Sequence, residues 1–161
     1  MGKKYIVYAD GACSNNQDEL VRRGAYAAAI FTPIDGHTYK KDVAAAVEGA
    51  TNNQMELMGV LKALQTIVGI DPSDTPEVEI YSDSQYVIKG ITLWLEDWKA
   101  NGWKTKGNEP VKNLELWQEL DATLRKVKYE FKKVKGDGND KWNDYCDKLA
   151  RKLCGSKPKR K

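Results

Sequence analysis

Four acidic residues stand where their carboxylates could do chemistry, and two of them follow strand-like segments. Asp10 comes directly after the β-branched and aromatic run 5–9, and Asp83 comes directly after the similar run 77–82. Ligands of open α/β sheets bind at the carboxyl ends of the strands. If these strands are neighbours, the two carboxylates repel each other, and a divalent cation between them removes that penalty. Taken singly, each acid also fits an ordinary turn, because Asp-Gly and Asp-Ser are common turn pairs.

Two further acids lie on helix-like segments at the border of burial. Glu56 precedes Val60 by four residues and Leu64 by eight, which places it on the apolar side of its helix. A carboxylate facing a core needs a partner or a metal. The alternative is a capping box over residues 53–56, in which Glu56 reaches back to the helix start. Asp147 lies at the edge of the apolar stripe of the last helix, where a single acid is usually a solvated side chain.

As a set, the four acids predict one cleft that holds a metal. Oxygen ligands without a usable histidine favour Mg²⁺ or Mn²⁺ over zinc. The single histidine, His37, follows the hairpin signal Asp35-Gly36, so nothing in its setting supports a Ser-His-Asp or Cys-His mechanism.

Composition excludes several other classes of protein. The chain has 161 residues, 41% of them hydrophobic and 30% charged, which is typical of one soluble domain. The longest apolar run, 25–31, is too short to cross a membrane, and no secretory signal is visible. Cys13, Cys146 and Cys154 form no metal-type pair, and their odd number argues against a disulfide framework. A reducing compartment follows, and we expect a cytoplasmic protein.

The net charge of +3 carries little information about partners. Four of the basic residues lie in the last five positions, and without them the balance is −1. A nucleic-acid partner therefore has to be inferred from where the charges lie rather than from their total.

Strands and helices that would position the acids can be placed from periodicity. Residues 5–9, 24–32, 37–47, 77–82 and 127–131 have the composition of strands, and Asp35-Gly36 joins the second to the third. Apolar spacing predicts helices over 51–69, after Ser84, from Ile91 to Trp98, around Leu116 to Leu124, and from Trp142 to Leu153. This order predicts an α/β fold with a mixed five-stranded sheet, three antiparallel strands followed by two more, and helices on both sides.

Seven segments together resemble the signature segments of type 1 ribonuclease H. They are YADGAC (8–13), TNNQMELM (51–58), SDSQYV (82–87), WLEDWK (94–99), GWKT (102–105), VKG (134–136) and CDKLAR (146–151). The motifs keep the same order, and the resemblance runs from about Tyr5 to Leu153. It implies the ribonuclease H-like fold, a single domain over 1–154, and a flexible basic tail over 155–161. Because the chain begins at the first strand with Met1, we expect a free-standing, monomeric enzyme rather than a domain severed from a reverse transcriptase.

The resemblance implies an endonuclease that cuts the RNA strand of RNA–DNA hybrids with two Mg²⁺ ions, or with Mn²⁺ in their place. Asp10 would bridge both ions. Asp147 would complete the site of the ion that activates water, and Glu56 and Asp83 would hold the ion that faces the leaving 3′-oxygen. The products would carry 5′-phosphate and 3′-hydroxyl ends.

Contacts to the hybrid follow from the same resemblance. Asn16, Asn52 and Gln85 match positions near the minor groove, where ribose 2′-hydroxyls are displayed, and Asn53 lies beside them. Thr51 matches a residue that grips a DNA phosphate. Trp94 and Trp98 match an aromatic pair that lines the DNA-strand channel, although both also fit a helix core. The remaining candidates lie in the family's basic protrusion: Lys99, Trp103 and Lys104.

Two departures from the family pattern stand out. The protrusion, about 94–112, has a surplus of only one positive charge, so we expect it to contribute less affinity than usual. Residues 125–135, with six basic residues against Glu130, are a second candidate for phosphate contacts or else a solvated strand face. The second departure is Asp137, which stands where the family usually has a histidine. We expect Asp137 to support the activated water or an outer-sphere metal contact, with slower turnover.

Two alternative functions and the role of the tail stay open. A transposase or integrase core shares the fold and the acids, but the protrusion and the TNNQME segment argue against it. A catalytically silent hybrid-binding module of the same fold is the alternative from another class. The basic tail resembles a nuclear import signal, and such tails are also commonly flexible, nonspecific contacts.

Overall fold

Five strands and five α-helices make up the part of the chain that the computed structural model describes, residues 4–14, 22–70, 75–133 and 141–155. The strands are β1 (Lys4–Cys13), β2 (Arg23–Ile34), β3 (His37–Glu48), β4 (Glu77–Ser82) and β5 (Lys128–Lys133). The helices are α1 (Asn52–Ile70), α2 (Gln85–Lys89), α3 (Leu95–Ala100), α4 (Leu114–Leu124) and α5 (Lys141–Cys154), with a π-helical turn, Gly90–Trp94, between α2 and α3. No helix in these ranges is both long enough and apolar enough to cross a membrane.

The strands form one mixed sheet in the order β3-β2-β1-β4-β5. β1 pairs antiparallel with β2 and parallel with β4, and β4 pairs parallel with β5. The predicted mixed five-stranded sheet is therefore confirmed. The β2–β3 hairpin turns at Asp35 and Gly36, whose φ values of 52° and 82° are those that a tight two-residue hairpin requires. His37 follows at this turn, exposed and far from the acids, as predicted.

Each face of the sheet packs against helices, because successive side chains of a strand point to opposite faces. Val7 and Ala9 of β1 are buried in the larger core, to which α1 and α4 contribute their apolar stripes. Tyr8 packs on the opposite face, against a smaller core that includes Cys146 and Ala150 of α5. The prediction of helices on both sides is confirmed, and β1 is held between α1 and α5.

Two elements differ from the sequence prediction. β1 does not end at Ala9 but continues to Cys13, because β2 goes on pairing with it as far as the Cys13–Gly24 partners. The helix after Ser84 and the helix around Trp98 are not separate; the π-helical turn joins them into one rod. Gly90 begins that turn directly against the buried indole of Trp117, where a larger side chain would overlap the ring.

Candidate active site

The end of β4 sets the positions of the first two acids. β1 pairs with β4 only from Lys4 to Tyr8, and β4 ends at Ser82. Asp10 therefore lies two residues past the last β1–β4 partners, although it is still paired with β2, and Asp83 is the first residue after β4. The prediction that Asp10 ends a strand is wrong for β1 itself. The prediction that Asp10 and Asp83 share one edge of the sheet is right.

Two glycines allow α1 to bring Glu56 against β1. A β-carbon added to Gly11 would lie 2.5 Å from the backbone nitrogen of Glu56 and 2.6 Å from the carbonyl carbon of Met55. One turn further along α1, a β-carbon on Gly59 would lie 3.2 Å from the carbonyl oxygen of Asp10. The helix therefore crosses the strand at backbone contact, and the Glu56 side chain emerges beside Asp10.

The capping alternative for Glu56 is wrong, because another pair of residues forms the capping box. The Thr51 backbone N–H donates to Gln54 Oε1 at 2.9 Å, and the Gln54 N–H donates to Thr51 Oγ1 at 3.2 Å. Thr51 is thus the N-cap of α1 and Gln54 its reciprocal partner. Glu56 is left with its side chain on the buried side of the helix, 8% exposed.

Asp10, Glu56 and Asp83 form a trio of carboxylates. Each offers one oxygen, and these three oxygens lie within 4.8 Å of one another. Asp10 is 3% exposed, and its Oδ1 accepts a 2.9 Å hydrogen bond from the Gly11 N–H. Asp10 Oδ2 and Glu56 Oε2 are buried and have no hydrogen-bonding partner among the described residues. Buried polar oxygens are normally satisfied, so two such oxygens without a partner among the described residues are suited to binding a cation.

Burial and mutual repulsion disfavour the ionised form of these acids. Desolvation, followed by the charges of Asp83 and Asp147, raises the pKa of Asp10 from 3.8 to about 8. Desolvation also raises the pKa of Glu56 well above its usual value, and Asp10 and Asp83 add to the effect. A divalent cation among the carboxylates would reverse both shifts, and an oxygen-only donor set suits Mg²⁺ or Mn²⁺. The predicted cation chemistry therefore fits the residues that the structure brings together.

The fourth acid, Asp147, lies close to Asp10 but outside the trio. It is 6% exposed on α5, and Arg151, one turn later, donates from Nε to both carboxylate oxygens, at 3.0 Å and 3.2 Å. Its charge nevertheless acts on Asp10. The structure thus places all four predicted acids around one point, three of them as a trio and the fourth ion-paired.

An open pocket of about 290 Å³ gives access to the acids. Beside the trio, its wall includes the predicted nucleic-acid residues Asn52, Asn53 and Gln85. All three are exposed, Asn52 and Asn53 in the first turn of α1 and Gln85 at the start of α2. Two predicted residues, Asn16 and Asp137, lie outside the described residues, as does most of the basic tail.

A second, larger pocket of about 890 Å³ lies in the predicted protrusion. Trp94 and Trp98, whose ring centroids are 5.7 Å apart, line it together with Lys104. Trp98 also meets the buried Trp117 at 5.2 Å, so it serves both as pocket wall and as core. Trp103, at the turn after α3, has a φ of 65° and is half-buried against the core.

Lys99, the other predicted cation of the protrusion, is already ion-paired. Its Nζ lies 3.2 Å from an oxygen of Asp121 on α4 and 3.2 Å from an oxygen of Glu96. Asp121 is 7% exposed, so this pair ties the protrusion to the core. The sequence analysis predicted that Lys99 contacts nucleic acid. In the structure its ammonium group is ion-paired with Asp121 and Glu96, so less of its positive charge is available to a phosphate.

Sequence reasoning missed two residues of the site. Arg151 lines the acid pocket, and its signal was the four-residue spacing from Asp147 on a helix. Tyr86 also lines it, and its hydroxyl accepts hydrogen bonds from Asn113 Nδ2 and Trp117 Nε1, both at 3.0 Å. No local pattern in the sequence predicts these two hydrogen bonds, because their donors lie 27 and 31 residues from Tyr86 along the chain.

Fold and site together define a class of protein: a mixed five-stranded sheet with a cluster of three carboxylates just beyond the point where the pairing of β1 with β4 ends. The sequence matches the RNase H family over residues 2–154. It is 43% identical over 149 residues to a ribonuclease H of Clostridium botulinum, covering 92% of this chain and 93% of that one.

Solved structures of ribonucleases H are also similar to this chain. LC9-RNase H1, described as a type 1 RNase H with the type 2 active-site motif, superposes with a TM-score of 0.84 at 29% identity, covering 96% of this chain and 74% of that one. LC11-RNase H1, solved in complex with an RNA/DNA hybrid, shares the fold at a TM-score of 0.66 and 19% identity, covering 94% and 96%. The chain belongs to the ribonuclease H family. The resemblance to type 1 ribonuclease H and the prediction of a ribonuclease H enzyme are confirmed.

Proposed function

We propose that this protein hydrolyses the RNA strand of RNA–DNA hybrids with two divalent cations, leaving 5′-phosphate and 3′-hydroxyl ends. The observation that carries the proposal is the trio Asp10, Glu56 and Asp83, with three oxygens within 4.8 Å and two buried oxygens that have no partner among the described residues. A binding module without catalysis would not need to keep such a costly cluster.

Each acid has a distinct task in this proposal. Asp10, between Glu56 and Asp147, would share its carboxylate between the two ions. Glu56 and Asp83 would hold the ion on the leaving-group side, and Asp147 would complete the site on the side of the attacking water. Bound Mg²⁺ supplies Lewis acidity and a nucleophile at neutral pH, so that no protein nucleophile is required. This agrees with the position of His37 at a distant hairpin.

Recognition of the RNA strand falls to the amides beside the trio. Asn52, Asn53 and Gln85 present side chains that both donate and accept hydrogen bonds, as a ribose 2′-hydroxyl requires. Asn16 belongs to the same proposal. The placement of Asn52, Asn53 and Gln85 on the pocket wall supports the proposal, as does the RNA/DNA hybrid bound to the structurally similar LC11-RNase H1.

The DNA strand would be held further along, by the cap of α1 and by the protrusion. Thr51 keeps a hydroxyl hydrogen to donate to a phosphate, because in the capping box its oxygen only accepts. Trp94 and Trp98 offer apolar walls, Lys104 offers an exposed cation, and Trp103 shapes the turn between them. Lys99 would contribute less, since Asp121 and Glu96 share its charge.

Asp137 is proposed to act on the water side of the reaction, with slower turnover than a histidine in its place. Steady-state kinetics of Asp137→His and Asp137→Ala would test this. A faster Asp137→His enzyme and a slower Asp137→Ala enzyme are expected, whereas two variants identical to wild type would remove Asp137 from the mechanism.

A single assay tests the cleavage, its substrate and its dependence on a divalent cation. The protein is incubated with end-labelled RNA–DNA hybrid, single-stranded RNA and duplex DNA, each with Mg²⁺, Mn²⁺ or EDTA. We expect cleavage of the hybrid alone, its loss in EDTA, and its loss in Asp10→Asn. Hybrid binding with no cleavage in either Mg²⁺ or Mn²⁺ would instead identify a silent binding module.

A further inference from the structure

The wall of the acid pocket carries a positive charge. Arg151 lines the pocket, and among the described residues of the pocket wall it is the one cationic side chain. Its Nε donates to Asp147 Oδ1 at 3.0 Å and Oδ2 at 3.2 Å, and the side chains of Arg151 and Asp147 are only 22% and 9% exposed. A pair this buried is weakly screened by solvent, unlike an ordinary surface pair.

The surroundings of the pair explain why a cation is needed there. Asp147 acts electrostatically on Asp10, and Asp10 in turn faces Glu56 and Asp83. Four carboxylates thus surround one small volume, and an uncompensated charge among them would be costly. Arg151 supplies one positive charge from the same helix as Asp147, four residues later, and so offsets part of the negative charge of the cluster.

We propose that Arg151 is the internal counter-ion of the acid site: it orients the Asp147 carboxylate and partly replaces a divalent cation until one binds. This rests on the proposed function, in that it takes the acid site to be the cation site. Arg151 is here a positioning residue, since it acts through Asp147.

The proposal has a consequence that a purely structural ion pair lacks. A fixed guanidinium repels an incoming divalent cation, so Arg151 stabilises the metal-free protein at the expense of metal affinity. Removing its charge should therefore weaken the metal-free protein and strengthen Mg²⁺ binding. Turnover should fall all the same, because Asp147 loses the partner that fixes its orientation.

Three variants test the idea in the full-length protein. Arg151→Gln keeps most of the side chain and removes the charge, and Arg151→Lys keeps the charge but loses the planar guanidinium. Lys148→Gln is the matched control: it removes the same charge from α5, where Lys148 pairs with Asp144 outside the pocket, and both side chains are more exposed.

Thermal unfolding in EDTA and in saturating Mg²⁺ gives the first measurement, and calorimetric Mg²⁺ titration gives the second. We expect Arg151→Gln to lower Tm in EDTA, to show a larger Mg²⁺-induced rise in Tm than wild type, and to bind Mg²⁺ about fivefold more tightly. On the hybrid, its kcat should fall about tenfold with little change in KM. Arg151→Lys should restore the metal-free Tm, and Lys148→Gln should match wild type throughout.

A double-mutant cycle decides whether the effect on kcat passes through Asp147. In an Asp147→Asn background, Arg151→Gln should no longer lower kcat, because no carboxylate is left for Arg151 to orient, whereas its effect on Mg²⁺ affinity should persist. The proposal is overturned if Arg151→Gln lowers Tm equally with and without Mg²⁺, or binds Mg²⁺ no more tightly than wild type. A wild-type protein that neither binds Mg²⁺ nor cuts hybrid would instead refute the proposed function, so the two failures are distinguishable.

Discussion

Gly11 and Glu56 meet at backbone contact: a β-carbon on the glycine would lie 2.5 Å from the backbone nitrogen of the glutamate. This approach, rather than any side-chain bond, sets how closely α1 lies against β1. The distance between the Asp10 and Glu56 carboxylates therefore depends on a residue that has no functional group.

Substituting Gly11 should damage both stability and the acid site. Gly11→Ala must push α1 away from β1, and we expect a loss of about 1–3 kcal/mol in the free energy of unfolding together with weaker Mg²⁺ binding. Chemical denaturation and Mg²⁺ titration would measure the two effects. Gly69→Ala is the control, since its added carbon meets nothing within 4 Å. Unchanged stability and Mg²⁺ affinity in Gly11→Ala would contradict the packing argument.

The raised pKa of Asp10 predicts how metal-free stability depends on pH. Because the folded-state pKa is about 8 and the ordinary value is 3.8, the folded state holds this proton more tightly than the unfolded chain does. The contribution of Asp10 to stability is therefore fully present below about pH 4 and is lost as the pH rises towards 8. In EDTA, we expect this group to lower Tm between pH 5 and pH 8.

The same experiment has its control within the site. Asp10→Asn cannot ionise, so its Tm in EDTA should fall less steeply over this pH range than that of wild type. Saturating Mg²⁺ should flatten the wild-type profile, since the cation favours the ionised carboxylates. Parallel pH profiles for wild type and Asp10→Asn in EDTA would rule out Asp10 as the source of the slope.

Lys104 and Lys99 should contribute differently to hybrid binding. Lys104 is exposed on the wall of the protrusion pocket, whereas Lys99 is paired with Asp121 and Glu96. We expect Lys104→Ala to weaken binding and to reduce the slope of log K against log salt by about 1, as for one lost phosphate contact. Lys99→Ala should change the slope less but lower Tm more. Fluorescence anisotropy at several salt concentrations measures the slopes, and equal slopes for the two variants would refute the distinction.

Thr51 should have a structural effect separable from its proposed phosphate contact. Thr51→Ala removes the N-cap of α1 and should cost about 1 kcal/mol of stability, while Thr51→Ser should keep both the cap and the contact. Gln54→Ala breaks only the reciprocal half of the capping box. Hybrid affinity should therefore fall in Thr51→Ala but not in Gln54→Ala, as measured by anisotropy. An equal loss in both variants would mean that Thr51 acts only through the helix.

Local pattern predicted the mixed five-stranded sheet and the strand and helix segments that carry the trio, but not the order of the strands. Asp83 follows a strand of alternating burial, and Glu56 falls on a helical stripe, so period and spacing alone place both. The end of β1 was misplaced because Asp10-Gly11 has the composition of a turn, and only pairing with β2 keeps these residues extended. The alternative capping box over residues 53–56 is wrong, because the motif Thr51-x-x-Gln54, two residues earlier, forms the cap.

The ion-pair partners of the charged side chains could not be predicted from the sequence. Lys99 and Asp121 are 22 residues apart in the chain, and only the packing of α3 on α4 brings them together. The surplus of charge in the protrusion, counted from the sequence, therefore overstates the charge available to a ligand. Arg151 differs from Lys99 in this respect. Its four-residue spacing from Asp147 can be read from the sequence, but the burial of the pair cannot.

The rod of α2, the π-helical turn and α3 has a further consequence for the length of hybrid that the proposed enzyme needs. It begins beside Asp83 at the acid pocket and ends beyond Trp98 in the protrusion, with helical backbone angles at both junctions. At about 1.5 Å per residue the rod spans about 24 Å. A hybrid that contacts both the acid pocket and Lys104, as proposed above, must span about this length, so we expect KM to rise for shorter duplexes and their cleavage no longer to depend on Lys104.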